Sequence, residues 1–310
     1  MTSLRSFLVR NPQLVFLLVL VVAFALFIPS FFTAGNILNI LKQSTTISII
    51  CCGLALVVIG GNLDLSIGAL LSLTLGVSIA MANINTGLAI VAPIGVALIV
   101  GAVNGLIVGR ARVDSIILTL GTMALINGFV QTYRQGNIIT GPMFTSYQAI
   151  TDAKLFAVPS YILIYIAIAV LYQFILVKTS FGRKVILVGE NREAAEIAGV
   201  NTREVTLITF LICGVSVGIA SILMGSRLLQ GSTNTGAGME FDALTAILIG
   251  GISIYGGKGT ILNAMVGVFL LAVIINGLTL LNVPFEWRNV AKGAMIILAI
   301  GVERLRRGSV

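Results

Sequence analysis

The chain has 310 residues, of which 57% are hydrophobic and 10% charged, with 34 Gly and no His. Soluble domains carry about 25% charged residues, so this composition excludes a water-soluble globule and marks an integral membrane protein. The missing histidine excludes His metal sites, His-based triads and imidazole relays, and the net charge of +8 has to be read by its distribution along the chain.

Arg5 and Arg10 precede an apolar run over residues 14–32. That run is too long for the core of a signal peptide and ends without a small-x-small cleavage pattern, so it reads as an uncleaved anchor and first span. Nine apolar segments follow at 45–60, 65–82, 88–108, 116–130, 158–177, 206–225, 244–255, 261–281 and 290–302, so that of the ten in all the second, 45–60, and the eighth, 244–255, are short. Ten spans put both ends on one side.

With that side cytoplasmic, the inner segments hold Arg5, Arg10, Arg110, Arg112, Lys178, Arg183, Lys184, Arg192, Arg203, Lys258, Arg304, Arg306 and Arg307, which is 13 of the 19 basic residues. Lys42, Arg134, Lys154, Arg227, Arg288 and Lys292, the other 6, fall outside. The inverse topology breaks the positive-inside rule. The expected fold is therefore an all-α integral membrane protein of about ten transmembrane helices with both termini cytoplasmic.

Cys51, Cys52 and Cys213 lie in apolar runs and read as small hydrophobes. Gly101, Gly105 and Gly109 on the fourth span, and Gly214 and Gly218 on the seventh, recur at helical spacing. Bare faces of this kind let helix backbones approach, and tight packing within one subunit is the simpler reading than a seam between subunits. Val57-Val58-Ile59-Gly60-Gly61 and Ile247-Leu248-Ile249-Gly250-Gly251 share a pattern, but five residues do not establish a duplication.

Asp64 is the one charged residue between Lys42 and Arg110, within Gly60-Gly61-Asn62-Leu63-Asp64-Leu65-Ser66-Ile67-Gly68. A carboxylate there needs partners, and the Gly pair permits a helix break. Two readings stand side by side: Asp64 or Ser66 caps the third helix, or a broken helix lets Asn62, Asp64 and Ser66 shape a polar passage.

Residues 178–205 form the longest polar stretch assigned to the cytoplasm. Within it Asn191 can cap a short helix, Glu193 complements its positive end and Gly199 can close it in a left-handed turn. Ala194, Ala195, Ile197 and Ala198 give that helix a small apolar face suited to docking into a partner's groove, or to lying on its own bundle.

Outside, residues 134–159 and 227–242 are polar, and the run Gln230-Gly231-Ser232-Thr233-Asn234-Thr235-Gly236-Ala237-Gly238 reads as a flexible turn. Gly256-Gly257-Lys258-Gly259-Thr260 departs from the P-loop pattern because Gly259 separates Lys258 from Thr260, so it reads as a cytoplasmic turn.

Taken in order, the Gly60 to Gly68 segment, Thr119-Leu120-Gly121-Thr122-Met123, the loop from Gly182-Arg183 to Gly199, and Gly250-Gly251-Ile252-Ser253-Ile254-Tyr255-Gly256-Gly257-Lys258-Gly259 resemble the permease subunits of ribose-type (monosaccharide) ABC importers. The resemblance covers residues 36–304. It implies a single transmembrane permease domain over 1–310, with a cytoplasmic coupling loop at about 178–205, in a multi-pass protein of the bacterial inner membrane. It implies a transport subunit and not an enzyme, partnered by a second permease copy in a homodimer or related heterodimer, a cytoplasmic ATPase and a periplasmic sugar-binding protein, within membrane lipid and without nucleic acid. No cofactor is expected on this chain; ATP and Mg are expected on the ATPase.

Glu193-Ala194-Ala195-x-x-x-Gly199 matches the start of the ATPase-docking loop of such permeases, making Asn191, Glu193, Ala194, Ala195 and Gly199 the coupling residues. The later Ile-x-Leu-Pro of that pattern is missing near residues 208–211. For an uncharged polyol, passage residues are sought among Asn62, Asp64, Ser66, Asn104, Thr119, Thr122, Asn127 and Asn276, each of which can equally hydrogen-bond helices together. The alternatives are a secondary transporter, which normally places several acidic or His groups in the membrane where this sequence offers Asp64 and an interfacial Asp114, and a membrane scaffold, which leaves the charged cytoplasmic helix unexplained. Side chains do not choose among pentoses, hexoses and furanosyl compounds.

Overall fold

The structure is a computed structural model that describes residues 12–143, 146–155 and 158–308. Arg5 and Arg10 lie outside the described residues. Among the described residues, thirteen α-helices make up almost all of the regular structure, with two antiparallel pairs of two-residue strands, Ile139–Thr140 with Gln230–Gly231 and Lys154–Leu155 with Val158–Pro159. The all-α membrane architecture stands.

Helix α1 spans Pro12–Phe27 and α2 spans Ala34–Ile59. The second expected segment is therefore no short span: Thr33 Oγ1 accepts the Asn36 N–H at 3.3 Å and starts α2 eleven residues before the apolar run. From Ser44 to Ile59 every residue of α2 is buried, which makes it the central post of the bundle. Helix α3 spans Ile67–Ala82, α4 spans Thr86–Leu106 and continues as a π-helical turn over Ile107–Ala111, and α5 spans Ser115–Arg134. A short α6, Ser146–Asp152, precedes α7, Ser160–Lys178.

The polar stretch 178–205 is mostly helical. Helix α8, Ser180–Glu190, is opened by Thr179 Oγ1 accepting the Gly182 N–H at 3.2 Å and buries Val185 and Val188. Helix α9 covers Arg192–Ile197 and α10 covers Thr202–Leu228. Then come α11, Met239–Ile249, α12, Ile261–Leu280, and α13, Phe285–Gly308. Among the described residues, α2, α4 with its π turn, α5, α7, α10 and α12 are long and apolar enough to cross a membrane, while residues 13–27 and Ile67–Ala82 form shorter apolar helices. The eighth expected segment is an 11-residue helix followed by irregular chain.

Helix α10 packs on α2, α3 and α4. The spaced glycines fix how closely: a Cβ on Gly214 would stand 2.5 Å from the Ala97 carbonyl oxygen, and one on Gly101 2.7 Å from that of Phe210. Both glycine rows serve one seam inside the chain, where bare Cα atoms let two backbones touch.

The short sequence repeat has a structural counterpart. After α2, the Gly61 N–H bonds the Val58 carbonyl and the Asn62 N–H that of Val57; after α11, Gly251 bonds Leu248 and Ile252 bonds Ile247 in the same way. Gly61 and Gly251 take φ of 79° and 93°, a left-handed conformation open to glycine at little cost, and so close each helix in a Schellman turn.

The glycine-rich run 230–238 is not a free outer turn. Gly231, Thr233 and Gly236 are buried, the Gly236 N–H donates to Ser72 Oγ at 2.9 Å, and a Cβ on Gly236 would overlap the Gly68 carbonyl oxygen. The run passes into the bundle beside the first turns of α3, because small residues and internal hydrogen bonds satisfy its backbone there.

Candidate functional site

The break between α2 and α3 gathers five of the eight passage residues into one buried cluster. Asp64 Oδ1 accepts the Ser66 N–H at 2.9 Å and its hydroxyl at 2.5 Å. Asn104 Nδ2 on α4 donates to Ser66 Oγ at 3.1 Å, and Thr122 Oγ1 on α5 donates to Asn104 Oδ1 at 2.8 Å. Two backbone donors of the break turn to α5: Leu63 N–H to Ser115 Oγ at 2.9 Å and Leu65 N–H to Thr119 Oγ1 at 3.1 Å. Buried backbone N–H groups freed by a helix break need such partners. Ser115, missed in the sequence, was legible as the hydroxyl one helical turn before Thr119.

The capping idea takes a specific form. Ser66 occupies the N-cap position of α3 with no side-chain cap bond, and Asp64 receives the Ser66 N–H two residues on. Asn62 bonds only locally, Nδ2 to the Gly60 carbonyl at 3.2 Å. Asn276 is elsewhere, in a reciprocal amide pair with Asn36 at 2.8 and 2.9 Å that ties α12 to the start of α2. Asn127 lies exposed on α5. That helix buries only Ser115, Thr119, Ile126, Val130 and Arg134, a single stripe, and leaves its other faces uncovered.

A second carboxyl group accompanies Asp64 in the bundle. Glu240, at the start of α11, is 7% exposed; its Oε1 accepts the Gly238 N–H at 3.3 Å, and its Oε2, without a hydrogen-bond partner, lies where a Cβ on Gly68 would stand. Asp64 is thus not alone. The neighbouring Asp242 pairs with Lys292 at 2.8 Å. Among the described residues no group of three or more His, Cys, Asp or Glu side chains could hold a metal ion. Cys51, Cys52 and Cys213 are buried and free.

At the other end, α9 is built from its caps. Asn191 Oδ1 accepts the Ala194 N–H at 2.9 Å, Glu193 lies in the first turn, and Gly199 (φ 81°) closes the helix with its N–H on the Glu196 carbonyl. Ala195 is buried, whereas Glu193, Ala194 and Gly199 are exposed and Ile197 is 89% exposed. Ile197, Ala194 and Ala198 together leave a small apolar patch of α9 exposed. Glu196 fixes the helix to its surroundings, through the Thr202 hydroxyl at 2.6 Å, Arg112 at 2.8 Å and Arg192 at 3.6 Å. The Thr202 hydrogen bond, then the two guanidinium groups, hold its carboxyl below the usual glutamate range. A groove of about 480 Å³ opens nearby, lined by Gly105, Leu106, Arg110, Asn201, Arg203, Glu204 and Leu207, away from the Asp64 cluster.

The described residues thus form a helical membrane bundle with a buried, hydrogen-bonded polar cluster at one helix break and a short exposed helix, α9, between α8 and α10. Residues 36–300 match the profile of a family described as branched-chain amino acid transport system / permease component, and the chain belongs to that family. It is 31% identical over 312 residues to the ribose import permease protein of Escherichia coli, covering 98% of this chain and 96% of that one. The ribose import permease protein of Bacillus subtilis is 32% identical over 292 residues, covering 93% and 90%. The galactose/methyl galactoside import permease protein of Haemophilus influenzae is 34% identical over 300 residues, covering 90% and 89%. No solved structure matches.

Proposed function

We propose that this chain is the membrane permease of an ATP-driven importer that passes a monosaccharide or similar small polyol, delivered by a periplasmic binding protein, across the bacterial inner membrane. The observation that carries this is similarity along nearly the whole chain to sugar import permeases, 98% of it in the ribose case. The family description speaks of branched-chain amino acids, but ribose, galactose and xylose permeases are among the similar proteins, and the sugar reading follows them.

The protein is read as one transmembrane domain over 1–310, with ten spans, both termini cytoplasmic and the coupling element at 178–205. The charges support this orientation. Arg110, Arg112, Arg192 and Arg203 surround α9 and the groove, whereas Arg134 bonds the Gly231 and Ser232 carbonyls beside the strand pair at the opposite end.

The division of labour follows. A cytoplasmic ATPase, carrying the ATP and Mg, docks on α9 through Glu193, Ala194 and Ile197, while Asn191, Ala195 and Gly199 hold the shape of that element. The Asp64 cluster acts as a hinge rather than a lining, since its hydrogen-bonding groups are engaged with one another. The sugar path then runs along the uncovered side of α5, past Asn127, where a second permease copy completes it. Alternating access needs two arrangements of such elements, biased by the ATPase and by the loaded binding protein.

Reconstitution tests this reading. The permease is purified with its ATPase, placed in liposomes and offered the binding protein with ribose, galactose or xylose. ATP-dependent uptake of one of them is the expected result, and uptake that persists without ATP or the ATPase overturns it in favour of an ion-driven carrier.

A further inference from the structure

Three segments distant in sequence meet at the end of α8. The Gly257 N–H, in the break after α11, donates to the Ile59 carbonyl at 2.8 Å, so the two Gly-Gly breaks are joined directly. Gly189 sits on that joint: a Cβ there would overlap the Ile59 carbonyl oxygen and stand 2.6 Å from the Gly257 nitrogen. From the other side, a Cβ on Gly256 would stand 2.7 Å from the Gly189 carbonyl oxygen and 2.8 Å from the Gly61 Cα. Glu190 covers Gly257, whose added Cβ would lie 3.0 Å from the Glu190 Cα.

We propose that Gly189 is a positioning residue for transport: its bare Cα seats the α8–α9 unit on both helix breaks, so that a displacement of the docking helix is passed to residues 60–66 and from there to α5. This rests on the importer reading above. Each link is a contact already described. Helix α9 follows α8 after the single residue Asn191, whose N–H bonds the Leu187 carbonyl of α8 at 3.1 Å and whose Oδ1 caps α9, which ties the two helices together. Val185 of α8 adds a second foot, its Cγ1 standing 3.7 Å from a Cβ placed on Gly60. Beyond the break, Leu63 and Leu65 hold Ser115 and Thr119 of α5 by the hydrogen bonds of the polar cluster. Backbone-on-backbone contact transmits displacement better than long side chains, because a close-packed joint has no slack to absorb it.

The test uses the reconstituted complex of permease, ATPase and binding protein, with whichever of ribose, galactose or xylose the wild type takes up. Gly189→Ala is expected to retain the ATPase and its hydrolysis while sugar imported per ATP falls about tenfold. Gly95→Ala, at a helix position with nothing within 4 Å, serves as the control. A wild-type ratio of uptake to hydrolysis in Gly189→Ala overturns the proposal. Where Gly189→Ala does not assemble, a Gly60→Cys, Val185→Cys pair decides. Oxidation that leaves transport intact shows the joint moving as one body, and oxidation that stops transport reversibly shows that α8 must slide over the break, which overturns the proposal. Failure of the importer reading itself appears separately, as a wild-type complex without ATP-dependent uptake, and removes this proposal with it.

Discussion

Asp64 shows how one side chain can organise a helix break. Its Oδ1 receives two donors from Ser66, whose hydroxyl in turn accepts from Asn104. What the site needs is an acceptor, so Asp64→Asn keeps the geometry with its amide oxygen while Asp64→Ala strands buried donors. The alanine variant is expected to lose about 2 kcal/mol of stability and the asparagine variant clearly less, measured by thermal unfolding in detergent. Equal losses would show that the acceptor is not what matters. The same residue separates hinge from structural plug: in a hinge, Asp64→Ala should reduce transport more than it reduces the amount of folded protein, while Asp64→Asn retains most of both. Gly214 makes the complementary point for a missing side chain. With the Ala97 carbonyl 2.5 Å from its notional Cβ, Gly214→Ala is expected to cost about 1–3 kcal/mol. Gly121→Ala, with nothing within 4 Å inside a helix, should not lower the unfolding temperature and is expected to raise it slightly.

The elements divide by how much of their reason for existing is local. Helix α9 was legible because its signals are local: Asn191 caps it, Glu193 sits in its first turn and Gly199 ends it. Helix α8 was hidden in the same stretch because its Gly182 and Gly189 look like turn residues, and only their close approach to Leu176 and Ile59 explains them. The run 230–238 misled for the same reason; its glycines fit against Leu75, Gly68 and Ser72, contacts that local composition does not encode. At this scale the exposed face of α9 makes a sharp prediction. Ile197→Asp should leave the permease as stable as before, since Ile197 is 89% exposed, and should abolish co-purification of the ATPase. Wild-type recovery of the ATPase would move the docking surface elsewhere. The anchoring of α9 also carries a pH sign. Because the Glu196 carboxyl is lowered on folding, its bonds to Thr202, Arg112 and Arg192 hold above the unfolded glutamate range and are lost as pH falls through the lower folded value. A lower amide protection factor of α9 at acid pH, relative to the intrinsic exchange rate at the same pH, with the pH dependence diminished in Glu196→Gln, would report it.

For the whole molecule, composition determined the environment, but the path taken by the solute is not a property of one sequence segment. Of the eight polar residues considered for it, Asp64, Ser66, Asn104 and Thr122 form one hydrogen-bonded chain, Thr119 accepts the Leu65 N–H, Asn62 bonds its own turn and Asn276 bonds Asn36. Asn127 stands on the uncovered side of α5, between the exposed Gly128 and Leu125, the latter 76% exposed. An amide facing lipid hydrocarbon is costly, so this side of α5 is expected to face water or a second protein chain once the complex is assembled. Cysteine accessibility distinguishes these surroundings. The native Cys51, Cys52 and Cys213 are all 0% exposed and provide a quiet background. Asn127→Cys in the assembled complex should react with a small hydrophilic thiol reagent, react more slowly when the transported sugar is present, and lose uptake on modification. Ile99→Cys, on the 65% exposed apolar face of α4, should resist the same reagent because it faces lipid. Labelling of Ile99→Cys with Asn127→Cys inert would place the solute path along α4 instead of α5.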